Sequence, residues 1–485
     1  MRNVFLGLTL SSMLLLAITL AGCGSSNSGS LGPPVGSQPQ TSTVSFTVGD
    51  DPPAGVAILR FQVQITSATL QPSNSSQPPV SMLLSPLNVE LLHLQTETAP
   101  LGNISVPAGS YSSLTASFAN PVMTVFNNSA QTLTVGAQSC APGLLCVFNP
   151  SLNQASATVQ APTAPFPITL SANSPLGFEM HFDVNASVQG NLSVSPTITL
   201  KQIIPPTATT PIEQFHLVGR VSAVSSPDFT IQTGFGGISL PIVTNSNTAY
   251  DFGATCGADD FACLMNGQVV RVELNLLPGG AFVATRVRLL EQQNLNSLQG
   301  IVVRVNAAQN QFDMVLLDLQ ETFTSVIPGL VISVQTNSST TFNVDTDGTT
   351  IPAGLTFTGI SSFIPGQTVE IHPVATPVVA PGPTALPIIT VSTDSVTLES
   401  SDVTGTIGSK DAGGNPLNFT LITLSPFFAH ASVSAIQVDT VTADTQYVNV
   451  SGLSGLTAGD VVSVSGLLFN APATPTVVAE RIRLH

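Results

Sequence analysis

The sequence predicts an all-β chain: a β-sandwich followed by three tandem small β-barrels. Three observations carry the prediction. Apolar runs of about four to eight residues, rich in Val, Ile, Thr and Phe, alternate along the chain with turns built from Gly, Pro, Asn and Asp. No segment beyond the apolar N-terminal run presents a helical face longer than about two turns. The C-terminal half also repeats itself, in three units that share the same glycine and strand signatures.

Taken in order, the chain starts with Arg2 and an uncharged, mostly apolar run from Val4 to Leu20, the pattern of a secretory h-region. The residues Leu20, Ala21, Gly22 and Cys23 follow. They resemble the lipobox of bacterial lipoproteins. The resemblance implies a signal peptide over residues 1–22, diacylglycerol on the Cys23 thiol, cleavage before it, acylation of the new amine, and contact with the lipoprotein-processing and sorting machinery. No cofactor is expected, and the membrane partner is reached through lipid alone, because several acyl chains hold where one is marginal. Gly24 stands where an aspartate resembles an inner-membrane retention signal, which points to the outer membrane. Residues 23–42 are Gly/Ser/Pro/Gln-rich without an apolar face and read as a flexible spacer.

Only 8% of residues are charged, against roughly 25% in ordinary globular domains. Without Arg2 there remain ten basic and 27 acidic residues, a formal charge of −17, which argues against nucleic acid as a partner. Besides Cys23 there are two local pairs, Cys140 with Cys146 and Cys256 with Cys263. Disulfides are the expected state of an exported protein; a metal reading wants C-x2-C spacing and further ligands, which neither pair has.

Residues 43–200 form the expected sandwich. In "ILRFQVQITSATL", Leu59, Phe61, Val63 and Ile65 alternate with polar partners, a half-buried strand. The stretches "FTVGDDPPAGVAILRFQVQITSATL", "NVELLHL" and "VPAGSYSSLTASF" resemble domain-of-unknown-function family 4382, which implies a β-sandwich of exported lipoproteins without established chemistry. Residues 201–214, Pro/Thr-rich, read as a linker that leaves the two halves free to move independently.

The three units span residues 215–293, 294–400 and 401–485. Each opens on G-x-[VI] at Gly219, Gly300 and Gly405, and continues through a polar turn to Tyr250, Phe342 or Tyr447. Then comes G-[QD]-x-V-x-[VI] at Gly267, Gly366 and Gly459, and a closing strand. The second glycine suits a turn closed to other residues. Arg286, Arg288, Arg481 and Arg483 on the closing strands read as exposed charges that discourage edge pairing. The middle unit carries an insertion from Pro373 that reads as an exposed loop. These units resemble domain-of-unknown-function family 5666, which implies a barrel related to oligonucleotide/oligosaccharide-binding (OB) barrels.

The chemistry is sparse. In "GFEMHFDVN", Glu179, His181 and Asp183 share one strand face and could ligate a divalent cation, although a solvated face over an alternating core gives the same pattern. Asp50 with Asp51 and the "DTDGTT" stretch from Asp345 read as turn chemistry, and Asp259 with Asp260, inside the second cysteine loop, read by the same logic as exposed residues that could touch a cation or partner. Neither a G-x-S-x-G elbow, an H-E-x-x-H pair, a P-loop nor a dinucleotide fingerprint occurs. The leading expectation is therefore a lipid-anchored envelope protein, not an enzyme, with a binding, adhesion or structural role toward an envelope protein or polysaccharide. The alternatives are a carbohydrate-binding protein that uses exposed loop aromatics at Tyr111, Tyr250 and Tyr447, and a metal-dependent hydrolase at Glu179, His181 and Asp183.

Overall fold

A computed structural model describes residues 41–485 except 52–56, 84, 97, 175, 204–212, 234–238, 254–255, 278–280, 292–296, 320–325, 327, 347, 376, 382–386, 411–416 and 442–444. Cys23, its signal, the spacer up to residue 40 and most of the linker lie outside the described residues, while Thr41 and Ser42 of the expected spacer already belong to the first strand. No helix among the described residues is long and apolar enough to cross a membrane.

The chain is all-β. Its sandwich packs a four-stranded sheet on a seven-stranded one. The first sheet runs in the order Ile198–Ile203, Leu176–Asp183, Thr41–Asp51, Ala99–Pro107; its two central strands are parallel, with Phe46 opposite Phe178. The second is built on two long antiparallel strands, Ala57–Pro72 and Gly109–Phe126. The alternation expected in the first of these is present: Phe61, Val63 and Ile65 are fully buried between the sheets while Gln62 and Gln64 are half-buried. Phe61 and Phe118 meet Phe182 of the opposite sheet edge-on at 5.9 and 5.3 Å, the favoured geometry for aromatic pairs. Asp50 and Asp51 belong to the first strand, opposite Phe182 and Asp183, and not to a turn.

Each repeat closes into a five-stranded barrel, with pairing order 1-2-3-5-4-1. In the first, the strands are Glu213–Ser225, Asp228–Thr233, Ser239–Val243, Val269–Leu276 and Phe282–Glu291. All pair antiparallel except the third and fifth, which close the ring in parallel at Val243 and Val283. The second and third barrels repeat this topology, including the parallel closure. That is the Greek-key barrel of the OB type.

The repeat signatures have structural causes. At Gly219, Gly300 and Gly405 a Cβ would lie 2.8, 2.6 and 2.8 Å from a carbonyl oxygen of the second strand, so no side chain fits there; the first strand bulges from two residues further on, after Val221, Val302 and Ile407. Gly267, Gly366 and Gly459 have φ of 91°, 100° and 96°, which glycine adopts without cost. Their N–H groups donate to Val221, Val302 and Ile407, each at 2.8 Å. The residue after each glycine fastens the preceding turn. Gln268, Gln367 and Asp460 accept from the backbone of Met265, Ile364 and Thr457 at 2.8, 2.8 and 2.7 Å.

The second and third barrels are not separate units. One strand, Pro387–Lys410, closes the second barrel and opens the third, so the boundary expected between residues 400 and 401 falls inside it. Leu467, Phe469 and Val478 of the third barrel join the core of the second. The insertion from Pro373 forms a strand, Val378–Pro381, on this same long strand instead of an exposed loop. Residues 40–485 form one compact unit, against the expectation of independent halves. An apolar contact joins the sandwich to barrels two and three, with Ala57, Leu59 and Phe126 against Val303, Val315 and Phe427.

Candidate binding cleft

The closing-strand arginines show how the parts are fastened. Arg481 and Arg483 are buried, and Arg286 and Arg288 only partly exposed, contrary to the exposed role read from sequence. The strands that carry them are not open edges, so alternation puts these residues on a face that a neighbouring part covers. Arg483 reaches the outer face of the four-stranded sheet and ion-pairs with Glu179, both side chains nearly inaccessible. Arg288 and Arg271 of the first barrel grip Asp345 of the second, and Arg271 also reaches Glu399 at 3.0 Å.

Where the sandwich and all three barrels meet, a cleft of about 670 Å³ opens. The sandwich contributes Arg60 and Glu90, and the first barrel Arg271, Glu273 and Arg286. Glu399, Asp402, Glu480 and Arg481 come from the shared strand and the third barrel. Nine of the 22 lining residues are thus charged, four arginines and five carboxylates, in a chain only 8% charged. Arg60 donates to Gln62, Arg481 to Gln446 at 3.0 Å, and Asp402 accepts from Thr96 at 2.9 Å. Burial pushes the Glu399 carboxyl up to about 8, against the pull of Arg271 and with Asp345 and Glu370 adding to the rise.

The residues singled out from sequence lie elsewhere. Glu179 and His181 do share a face, 3.1 Å apart, but Arg483 occupies the place a cation would take. Asp183 instead caps the short helix Val184–Ser187, accepting from Ala186 N at 2.8 Å. No group of three or more His, Cys, Asp or Glu suited to a metal occurs among the described residues. Burial alone would raise the Glu179 carboxyl, but the His181 hydrogen bond and the Arg483 charge hold it down at about 2.

Tyr111 is not an exposed loop aromatic. It is 2% exposed, in the strand Gly109–Phe126, and its hydroxyl donates to Pro107 O at 2.7 Å. Tyr250 and Tyr447 sit half-buried on short strands that pair in parallel with the fifth strand, where their rings complete the barrel cores. None of the three lines the cleft. Both cysteine pairs are disulfide-bonded, each with Cα atoms 5.9 Å apart. Asp259 and Asp260 behave as turn residues, accepting from Phe252 N and Ala262 N at 2.9 Å.

Each cleft residue is unremarkable within its own strand, so sequence pattern alone does not single it out. One signal was available: Arg271 in "VVRVEL" and Glu399 in "VTLESS" place a charge inside a strand of a charge-poor chain. A serine–histidine contact also exists, Ser463 Oγ to His485 Nε2 at 2.7 Å. Ser463 is fully buried and lines neither this cleft nor the adjoining, more apolar cavity of about 730 Å³, which His485 lines together with Phe427 and Phe428.

These features define an all-β protein in which a sandwich and OB-type barrels enclose a charged cleft. Residues 41–201 match the domain of unknown function DUF4382, and residues 218–288 and 430–483 match the domain of unknown function DUF5666. The chain therefore carries one DUF4382 domain followed by DUF5666 repeats; the middle barrel falls between the two matched stretches and has their topology. No curated protein matches the chain. Among solved structures, Drosophila Unr CSD456 is similar at 10% identity, over 56% of this chain and 97% of that one, with a TM-score of 0.13. At that score the likeness bears no weight, and the barrel assignment stands on the strand pairings.

Proposed function

We propose that this protein is a lipid-anchored component of the bacterial cell envelope, held at the outer membrane on its spacer, with a noncatalytic binding role. The observation that carries the binding role is the concentration of charge in one cleft to which all four parts contribute. Arg271 also fastens the first barrel to the second, but a recognition site needs a few placed polar groups in a concave surface, and the cleft supplies them from all four parts. The address rests on the Leu20 to Cys23 signature and on two disulfides that suit an oxidising compartment. The ligand of such a protein is an envelope component, polysaccharide or protein.

Cell fractionation tests the anchor. Cys23→Ala should move the protein from the membrane pellet to the soluble fraction, and retention of the variant in the pellet would refute the lipid anchor. The chain from Gly24, without lipid, should still capture an envelope component in a pull-down.

A further inference from the structure

The composition of the cleft narrows what it can hold. Its four arginines and five carboxylates leave a formal charge of −1, so neither a polyanion nor a strongly cationic ligand is favoured by the field. Nine further lining residues are uncharged polar ones, among them Gln62, Asn88, Gln299 and Gln446, and only four are Val, Leu, Pro or Gly. An apolar ligand would strip water from these groups without replacing its hydrogen bonds. What remains is a neutral solute rich in groups that both donate and accept.

We infer that the cleft binds a short neutral saccharide, an inference that rests on the binding role proposed above. A sugar hydroxyl is donor and acceptor at once, so it is satisfied by an interleaved set of guanidinium, amide and carboxylate groups. Guanidinium and carboxylate are planar forks, and a fork engages two neighbouring hydroxyls with a defined spacing. The volume falls within the roughly 300–1,000 Å³ usual for small-ligand sites. Several of the forks are already held in place: Arg271 by Asp345 and Glu399, Arg481 by Gln446. Preorganised donors lose less freedom when a ligand arrives. Recognition here uses hydrogen bonding from the junction of the parts, and no aromatic side chain lines the cleft among the described residues.

The test uses the whole chain from Gly24 on an array of neutral oligosaccharides, uronate-containing oligosaccharides and peptides, with positives titrated calorimetrically. Three side chains from three parts of the cleft are changed together: Asn88→Ala, Gln299→Ala and Glu480→Gln. Asn88 is exposed and the other two are only partly buried, and unchanged thermal unfolding would certify the fold. The expected result is saturable binding of a neutral oligosaccharide, weakened at least tenfold in the triple variant and unchanged in Tyr447→Phe. Neutral-glycan binding that the triple variant leaves intact would overturn the cleft as the site. Binding only of uronates or peptides, lost in the variant, would overturn the ligand class while upholding the binding role. An array blank for every probe, with no envelope component captured in the pull-down, would overturn both.

Discussion

Replacing Arg483 with leucine should loosen the sandwich from the third barrel. The guanidinium is 2% exposed and its partner Glu179 3%, so the substitution leaves a carboxylate buried with His181 at 3.1 Å as its remaining polar contact. Breaking a buried pair from one side costs about 3–5 kcal/mol, because the abandoned charge has lost water as well as its partner. At the lower bound this raises the opening equilibrium roughly a hundredfold. Hydrogen exchange reads that opening locally, which suits a chain of several parts better than a single unfolding midpoint. Amides of Leu176–Asp183 and Thr476–Leu484 should exchange roughly a hundredfold faster, with those of Val269–Leu276 in the first barrel unchanged. Glu179→Leu combined with Arg483→Met should recover most of the loss, since an apolar pair of similar size strands no charge. The pH dependence has a fixed sign: the Glu179 carboxyl is lowered from 4.5 to about 2, so the pair's contribution is complete above about 4.5 and is lost as pH falls toward 2. The gap between wild type and Arg483→Leu should close over that window. Exchange in Leu176–Asp183 that changes less than about threefold at neutral pH would refute the clasp.

Glu399 has the opposite linkage. Its carboxyl is raised from 4.5 to about 8, so the folded state binds the proton more tightly, and this stability is present below about 4.5 and lost as pH rises through 8. Glu399→Gln should flatten the fall in thermal midpoint between those limits, and parallel profiles for the two proteins would refute the shift. Gly300→Ala should destabilise the second barrel by about 1–3 kcal/mol, because the new Cβ would lie 2.6 Å from Val315 O; an unchanged denaturation midpoint would show that the first strand has room to move.

Local rules explain what was legible in the sequence. Period-two alternation exposed the strand carrying Phe61, Val63 and Ile65, and the repeat signatures mark places where the backbone itself sets the residue, at Gly300 by a carbonyl and at Gly366 by a positive φ. Such constraints act within one hairpin or turn and so leave a pattern along the chain. What covers a strand's second face is settled by residues hundreds of positions away. Arg483 and Glu179 are 304 residues apart, and nothing near either one distinguishes a solvated charge from a buried clasp. The same limit hid the role of Asp345, which reads as a turn residue yet anchors two arginines of another barrel.

Scarcity of charge turns that limit into an argument about the cleft. In a chain with 25% charged residues, a cluster at a domain junction is expected from surface composition alone. Here Ser, Thr, Asn and Gln dominate the polar surface, and a charged side chain costs more to bury than any of them. The long closing strand shows the contrast within one fold. At the positions equivalent to Arg286 and Arg288 the second barrel has Ser395 and Thr397, and its parallel pairing there with Phe342 is intact. The barrel therefore does not require arginine at these positions. Of the four closing-strand arginines, Arg286 and Arg481 line the cleft, while Arg288 and Arg483 fasten neighbouring parts through Asp345 and Glu179, so these positions serve the cleft and the junction around it and not the barrel itself.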